Sequence, residues 1–250
     1  MLALEVIGKG ATATIYRDGG KAVKLYVDAP PNEAENEAKL QAFAVTAGLP
    51  VPAVFGVRKL AEHMTALDME YIPGEPLIHE RMDKVARRDA ISTLAALQCA
   101  VHTISACGLP KQAERLARKI MHNPHIEKPI KDNLISLLHR LDTGANRLCH
   151  GDLHPLNILY DGSKHWIIDW VDATAGNPLA DACRTYLIFK QFMTRSAGIY
   201  LRHFCDAAGV KQEDVLAWLP VIAAGRLSEN MDDGARAALL KVIDEWAAAQ

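Results

Sequence analysis

Hydrophobic and polar positions run in short β-type bursts over the first seventy residues, and then the period lengthens. Val6-Ile7, Thr14-Ile15-Tyr16 and Ala22-Val23-Lys24-Leu25-Tyr26 are three such bursts, separated by Gly8–Gly10 and Gly19-Gly20. Glycine accepts the backbone angles that tight turns between strands require. Two more strands are expected near Val54–Lys59 and Thr65–Tyr71. Between the third and fourth strands, Pro30-Pro31-Asn32 opens a helix with Asn32 at the N-cap, and Gly48 and Pro50 end it after Ala47. From Asp83 to Cys107, Val85, Ile91, Leu94, Ala95, Val101 and Ile104 recur at three- and four-residue steps, which predicts a helix. Further helices are expected over Lys111–His122, Lys128–Leu141, Asn177–Phe192 and positions 197–208, 212–225 and 232–249, with Trp246 docking the last. A β-rich beginning followed by a helical remainder is an α+β arrangement.

One stretch follows neither period. Leu148–Asp172 is a polar loop followed by two short apolar strands, Asn157–Tyr160 and His165–Ile168, joined by Asp161-Gly162-Ser163-Lys164. An Asp-Gly pair between β-type runs signals a hairpin, because glycine takes the positive φ of the turn. Asp152 then precedes the hairpin, Asn157 stands at its start and Asp169 at its end. Two carboxylates and an amide gathered at one end of a hairpin suit metal-assisted phosphoryl transfer.

The segment His150-Gly151-Asp152-Leu153-His154-Pro155-Leu156-Asn157 resembles the catalytic loop of the aminoglycoside phosphotransferase and choline kinase-like family. Protein kinases keep the same Asp-to-Asn spacing in H-R-D-x-x-x-x-N, with Arg where this chain has Gly151. Ile168-Asp169-Trp170 resembles the family's metal-binding segment, and Ala22-Val23-Lys24 the strand whose Lys holds the nucleotide phosphates beneath a Gly-rich lid. The resemblance runs from about Val6 to Leu187 and implies a bilobal, protein-kinase-like α+β fold. A small β-rich lobe with one helix would occupy residues 1–72 and a larger helical lobe residues 73–250.

The same resemblance distributes roles. Asp152 would be catalytic, orienting the acceptor hydroxyl and taking its proton late. Asn157 and Asp169 would hold Mg²⁺. Gly8, Gly10 and Thr12 would lie over the phosphates of ATP, with Ala13 replacing the third kinase glycine. Taken alone, glycines between strands serve turn geometry equally well. Lys24 needs a carboxylate partner to keep its charge when buried, and Glu37 is the expected one, with Glu33 one helical turn away as the alternative. Asp68-Met69-Glu70-Tyr71-Ile72-Pro73-Gly74 resembles the hinge, where backbone groups of Glu70 and Ile72, with Met69 and Tyr71 nearby, would meet the adenine edge. His150 resembles a structural histidine partnered by Asp181, and His102 reads as a packed helix residue rather than a catalyst.

Composition narrows the partners. In 250 residues, half hydrophobic and with a formal net charge of −2, there is no basic footprint for nucleic acid or anionic lipid. The five cysteines are scattered without metal-ligand spacing, and no apolar run approaches the roughly 20 residues of a membrane span. With no signal-like start to the sequence, a cytoplasmic location is expected. The short segment from Trp170 to Pro178 leaves no room for the A-P-E platform on which protein kinases dock peptides, so a small hydroxyl compound is the expected acceptor. A minimal protein kinase and a catalytically silent nucleotide-binding module are the rival readings. Beyond residue 172 nine acidic residues stand against eight Lys and Arg, a balance that leaves the acceptor's charge to local placement. Neither its identity nor the oligomeric state follows from the sequence.

Overall fold

Turn chemistry and β-branched runs near the start of the chain produce a meander of antiparallel strands. The computed structural model describes residues 5–10, 13–30 and 32–250. In chain order its elements begin β1 (Glu5–Lys9), β2 (Ala13–Asp18), β3 (Lys21–Val27), α1 (Glu33–Thr46), β4 (Val54–Ala61), β5 (Met64–Glu70), β6 (Glu75–Pro76) and α2 (Lys84–His102). They continue with α3 (Gln112–Met121), α4 (Lys128–Leu141), β7 (Arg147–Cys149), β8 (Ile158–Tyr160), β9 (His165–Ile167) and β10 (Thr174–Gly176). The chain finishes with α5 (Pro178–Phe192), α6 (Thr194–Ala208), α7 (Gln212–Leu216), α8 (Leu219–Arg226) and α9 (Asp233–Ala247).

The chain forms two compact units, each drawn from two separate stretches of sequence. One joins residues 1–81 to residues 155–172, and the other joins 82–154 to 173–250. In the first unit, five antiparallel strands are ordered β1-β2-β3-β5-β4, which places β3 at the centre. Ala13, Tyr26, Ala34 and Leu67 form a buried cluster between sheet and α1. The hairpin β8–β9 also belongs here: Ile158 faces Ile167 and Tyr160 faces His165. Asp161 Oδ1 accepts from the backbone N–H of Ser163 and Lys164 at 2.8 and 2.9 Å, and Gly162 takes φ +96°. The turn therefore forms for the reason its Asp-Gly pair implies.

In the second unit α2 packs on α6, and α6 on α5. Phe189 and Tyr200 stack at 5.3 Å between centroids, and Leu94, Val101 and Phe204 are buried with them. Four expectations need correction. The α2 helix stops at His102 instead of reaching Cys107, because the main chain turns aside to pair with the approach to β7: Ala106 N donates to Asn146 O at 2.8 Å and Leu148 N to Ile104 O at 2.9 Å. The helix expected over 212–225 is two, and Pro220 explains the break, since a residue lacking an N–H is tolerated only in a first turn. Asn32 occupies the N-cap position of α1 but is left-handed, at φ 63°, and makes no side-chain cap. The last helix docks through Leu239 and Ile243, while Trp246 is only half-buried. No helix among the described residues is long and apolar enough to cross a membrane, and the five cysteines are free thiols.

Candidate functional site

The predicted residues fall into two groups, one in each unit. In the first, Lys24 lies on the central strand β3 between Ile15 and Leu67. Its Nζ donates to both carboxylate oxygens of Glu37, at 2.8 and 2.9 Å, and to Asp169 Oδ1 at 2.9 Å. Tyr26, two residues along the same strand face, donates its hydroxyl to Glu37 Oε2. Glu37, not Glu33, is thus the partner of Lys24. Burial would pull the Lys24 ammonium down, but the carboxylates of Glu37 and Asp169 outweigh it and raise its pKa above the usual lysine value. Burial and the same Glu37 carboxylate drive the Tyr26 phenol far up, so it remains a donor.

Asp169 reaches Lys24 by a backbone device. Its φ of +64° lies in the left-handed region, which costs a non-glycine residue about 1 kcal/mol or more. The neighbouring residues hold that conformation: Ile167 N donates to Pro50 O at 2.8 Å, and Ile168 N to Asn157 O at 3.0 Å. Trp170 is fully buried and donates Nε1–H to Ile167 O at 3.0 Å. The Ile168–Asn157 bond also brings the Asn157 and Asp169 positions to one end of the hairpin. An amide and a carboxylate are the hard oxygen donors that Mg²⁺ takes, so the residues present fit that ion.

The glycine-rich turn and the hinge are more economical. Gly10 N donates to Ala13 O at 2.8 Å, while Thr12 lies outside the described residues. Neither Gly8 nor Gly10 has a positive φ, and among the described residues a Cβ at either would meet nothing closer than 3.4 Å. Among the described residues, neither backbone angle nor packing demands glycine at these two positions. In the hinge, Met69 is buried, with its sulfur 3.7 Å from Gln41 Nε2. The Glu70 N–H donates to Ala53 O at 2.8 Å, and its carboxylate accepts from Ala53 N at 3.1 Å. Tyr71 N donates to Gly20 O, and Gly74 N to Ile72 O. Of the main-chain groups expected at an adenine edge, the Glu70 N–H is thus already committed. Gly74 is required sterically, since a Cβ would come within 2.8 Å of Tyr160 O.

In the second unit, β7 delivers the loop that begins at His150. Gly151 has φ +83°, which accounts for glycine there. Asp181, buried near the start of α5, braces the loop through its main chain: it accepts from Gly151 N at 2.8 Å and His150 N at 3.3 Å. His102 Nε2 and Gln98 Nε2 reach the same carboxylate at 2.9 and 3.1 Å. Burial would raise the Asp181 pKa, but the hydrogen bonds from His102, Gln98 and the loop backbone leave it lowered. His102 is therefore a brace, and Thr185 adds a second by donating to Leu153 O at 2.9 Å. His150 Nδ1 accepts from Asp152 N at 3.2 Å.

Asp152 itself meets a cation. Arg184 Nη2 donates to Asp152 Oδ1 at 2.9 Å, and His154 Nε2 lies 3.5 Å from Oδ2. Burial opposes ionisation, yet the His154 hydrogen bond and the Arg184 charge hold the carboxyl well below the ordinary range. Asp152 is thus an ionised hydrogen-bond acceptor and a weak base, suited to orienting a hydroxyl. The same arginine donates Nη1–H to Glu229 Oε1 at 2.6 Å, and Glu229 also faces Lys119 and Arg226. The sequence reading did not single out Arg184, Arg226, Lys119 or Tyr26. A signal existed for Arg184: it stands three residues after Asp181 on α5, so the two share a helix face.

An antiparallel five-stranded unit combined with a helical unit defines a protein-kinase-like α+β fold of the phosphotransferase class. The chain belongs to the phosphotransferase enzyme family, whose model matches residues 3–219. It is a small-molecule kinase by that membership. No curated protein sequence matches the chain. Among solved structures it is similar to the aminoglycoside phosphotransferase APH(4)-Ia in ternary complex with ADP and hygromycin B, at 17% identity and a TM-score of 0.69, over 98% of this chain and 92% of that one. It is also similar to choline kinase LicA from Streptococcus pneumoniae, at 16% identity and a TM-score of 0.69, over 98% and 94% of the two chains. An aminoglycoside phosphotransferase bound to GDP and kanamycin matches at 14% identity and a TM-score of 0.67, over 100% and 94%.

Proposed function

We propose that this protein transfers the terminal phosphoryl group of Mg-ATP to a hydroxyl of a small molecule, with residues 1–72 as nucleotide lobe and 73–250 as catalytic and acceptor lobe. The buried Lys24 held between Glu37 and Asp169 carries this reading, because a lysine kept charged on a central strand is a phosphate ligand in waiting. Lys24 neutralises phosphate oxygens, and Gly8 and Gly10 leave room for the phosphates to approach the main chain. Asn157 and Asp169 would hold Mg²⁺, which when bound offsets charge on the phosphates. Asp152 would accept the hydrogen bond of the acceptor hydroxyl, so that the hydroxyl oxygen's lone pair faces phosphorus, and take the proton as that oxygen forms the new O–P bond. Arg184 and His154 keep Asp152 ionised and fixed in direction. The similar structures solved with ADP and with GDP support a nucleoside-phosphate donor. Work of this kind fits the cytoplasm, where ATP is plentiful.

The test is ADP release from Mg-ATP over a panel of hydroxyl compounds, with Asp152→Asn as the blank. Release that depends on an acceptor and vanishes in the variant is the expected result. Equal release by wild type and variant would overturn the role given to Asp152.

A further inference from the structure

Within the second unit the loop that carries Asp152 is held by its main chain and by side chains, and the two do different work. Asp181 and Thr185 fix the main chain, through Gly151 N at 2.8 Å and Leu153 O at 2.9 Å. A fixed main chain still leaves a carboxylate able to turn about its own side-chain bonds. Side-chain contacts set its direction, and Arg184 supplies one by donating Nη2–H to Asp152 Oδ1 at 2.9 Å. Arginine makes that contact from the end of a long stem with many rotamers, so its own head must be ordered as well.

Glu229 takes the other arm of that guanidinium. Arg184 Nη1 donates to Glu229 Oε1 at 2.6 Å, so two terminal nitrogens of one planar group meet two different carboxylates. Glu229 is fixed in turn. Its main-chain N–H donates to Arg226 O at 2.9 Å, and its carboxylate lies 3.4 Å from Arg226 Nε and 3.5 Å from Lys119 Nζ. A guanidinium facing a single carboxylate favours a fork, with two nitrogens on the two oxygens. Turned that way onto Asp152, Arg184 would compete with any hydroxyl that Asp152 is to accept. Glu229 draws Nη1 aside. It does so from the segment after α8, beyond residues 3–219 that match the family model.

We propose that Glu229 is a positioning residue for the phosphoryl transfer, holding Arg184 between two carboxylates so that Asp152 presents its own to the acceptor hydroxyl. This rests on the reading of Asp152 as the acceptor-orienting residue. Glu229 acts through Arg184 and by reach, since its oxygen must stand where Nη1 can donate to it. A carboxylate present only to balance the charge of Arg184, Arg226 and Lys119 would need no such placement. Substitution separates the two roles. Glu229→Gln keeps the reach and removes the charge, whereas Glu229→Asp keeps the charge and falls one methylene short.

Two measurements on the full chain test this. The first is the kinetics of ADP release from Mg-ATP with glycerol, choline and kanamycin as acceptors. Glu229→Asp and Glu229→Ala are each expected to lower kcat about tenfold or more, the scale of loss when a reacting group is misplaced, with KM for ATP unchanged. Glu229→Gln is expected to retain most of kcat. Because the effect passes through Arg184, the double variant Arg184→Met/Glu229→Ala should be no slower than Arg184→Met. Full activity of Glu229→Asp, or Glu229→Gln as slow as Glu229→Ala, would overturn the proposal by leaving charge balance as the role. Effects that multiply in the double variant would also overturn it. So would a Glu229→Ala effect confined to KM for the acceptor, which would make Glu229 an acceptor ligand. The second measurement needs no acceptor: crystal structures of wild type, Glu229→Ala and Glu229→Gln. Arg184 is expected to swing onto both oxygens of Asp152 in Glu229→Ala and to keep its place in Glu229→Gln. A guanidinium unmoved in Glu229→Ala would overturn the proposal. Failure of the phosphotransferase reading looks different: wild type itself would release no ADP with any acceptor, while the crystal structures still report whether Arg184 follows Glu229. Melting temperatures of the variants separate loss of positioning from loss of folding.

Discussion

The two charged clusters invite comparison because each holds a carboxylate against a cation in a different way. In the first unit one cation, Lys24, faces two carboxylates, Glu37 and Asp169, so negative charge is in surplus. In the second, Arg184 bridges Asp152 and Glu229, and Glu229 also meets Lys119 and Arg226. The first cluster has its charge excess on Asp169, whose side chain is 39% exposed, whereas Lys24 and Glu37 are sealed. In the second the guanidinium groups of Arg184 and Arg226 are largely buried. The first is therefore matched to an added cation. Their anchoring differs as well. Lys24 and Glu37 sit on neighbouring regular elements, β3 and α1, whereas Asp152 is held on a loop that Asp181, His102 and Thr185 tie down by hydrogen bonds.

The sharpest way to break this comparison is to remove one carboxylate and ask which function fails. Asp152→Asn is expected to lower turnover about 10²–10⁴-fold, the range for losing a positioned acid–base group. Nucleotide affinity should stay near that of wild type, as titration with a fluorescent ATP analogue would report. A matching loss of nucleotide affinity would mean that the two clusters are not functionally separate.

Lys24→Met attacks the other cluster through stability. It strands the buried Glu37 carboxylate, a change that costs about 3–5 kcal/mol when one partner of a buried pair is removed. Denaturant unfolding of Lys24→Met and of Lys24→Met/Glu37→Gln measures it, and the double variant should recover most of the loss. The linkage has a definite sign. Because the Lys24 pKa is raised on folding, its contribution is complete below the ordinary lysine pKa and fades as pH rises through the raised folded value. Stability of wild type and Lys24→Met should therefore converge only at strongly alkaline pH.

Arg184→Met is the mildest probe and sharpens the second cluster. Asp152 has a depressed pKa, so its ionised form and the associated stability persist above the ordinary carboxylate range and are lost only as pH falls through the lower folded value. Removing Arg184 should move the acid limb of kcat/KM to higher pH, with a smaller loss at neutral pH than Asp152→Asn causes. An unmoved acid limb would show that the neighbouring histidines, His154 and His150, set the ionisation without Arg184.

Much of this architecture was legible in the chain because local physics decides it. The hairpin at Asp161-Gly162 forms through side-chain acceptance by Asp161 from the N–H groups of Ser163 and Lys164, an interaction contained in four residues. The strand Ala22–Tyr26 and the helix carrying Glu37 follow from their periods. What the pattern hid is long-range. Tyr26 read only as a β-former, yet its hydroxyl meets Glu37, and Arg184 read as one charge in a balanced count, yet it bridges Asp152 and Glu229. The end of α2 was misplaced because Ile104 pairs with Leu148, a partner 44 positions away that no local period can announce.

By itself, then, the sequence determined the element types, the α+β class and the chemical identity of Lys24, Asp152, Asn157 and Asp169. Propensity, turn chemistry and residue type act over a few neighbouring positions, so they can be read directly. Tertiary structure alone decided that Glu37 rather than Glu33 seals Lys24, that Asp169 adopts a left-handed backbone to reach it, and that Arg184 joins Asp152 to Glu229. Electrostatic energy depends on distance in space and on exclusion of water, and neither is a property of position along the chain.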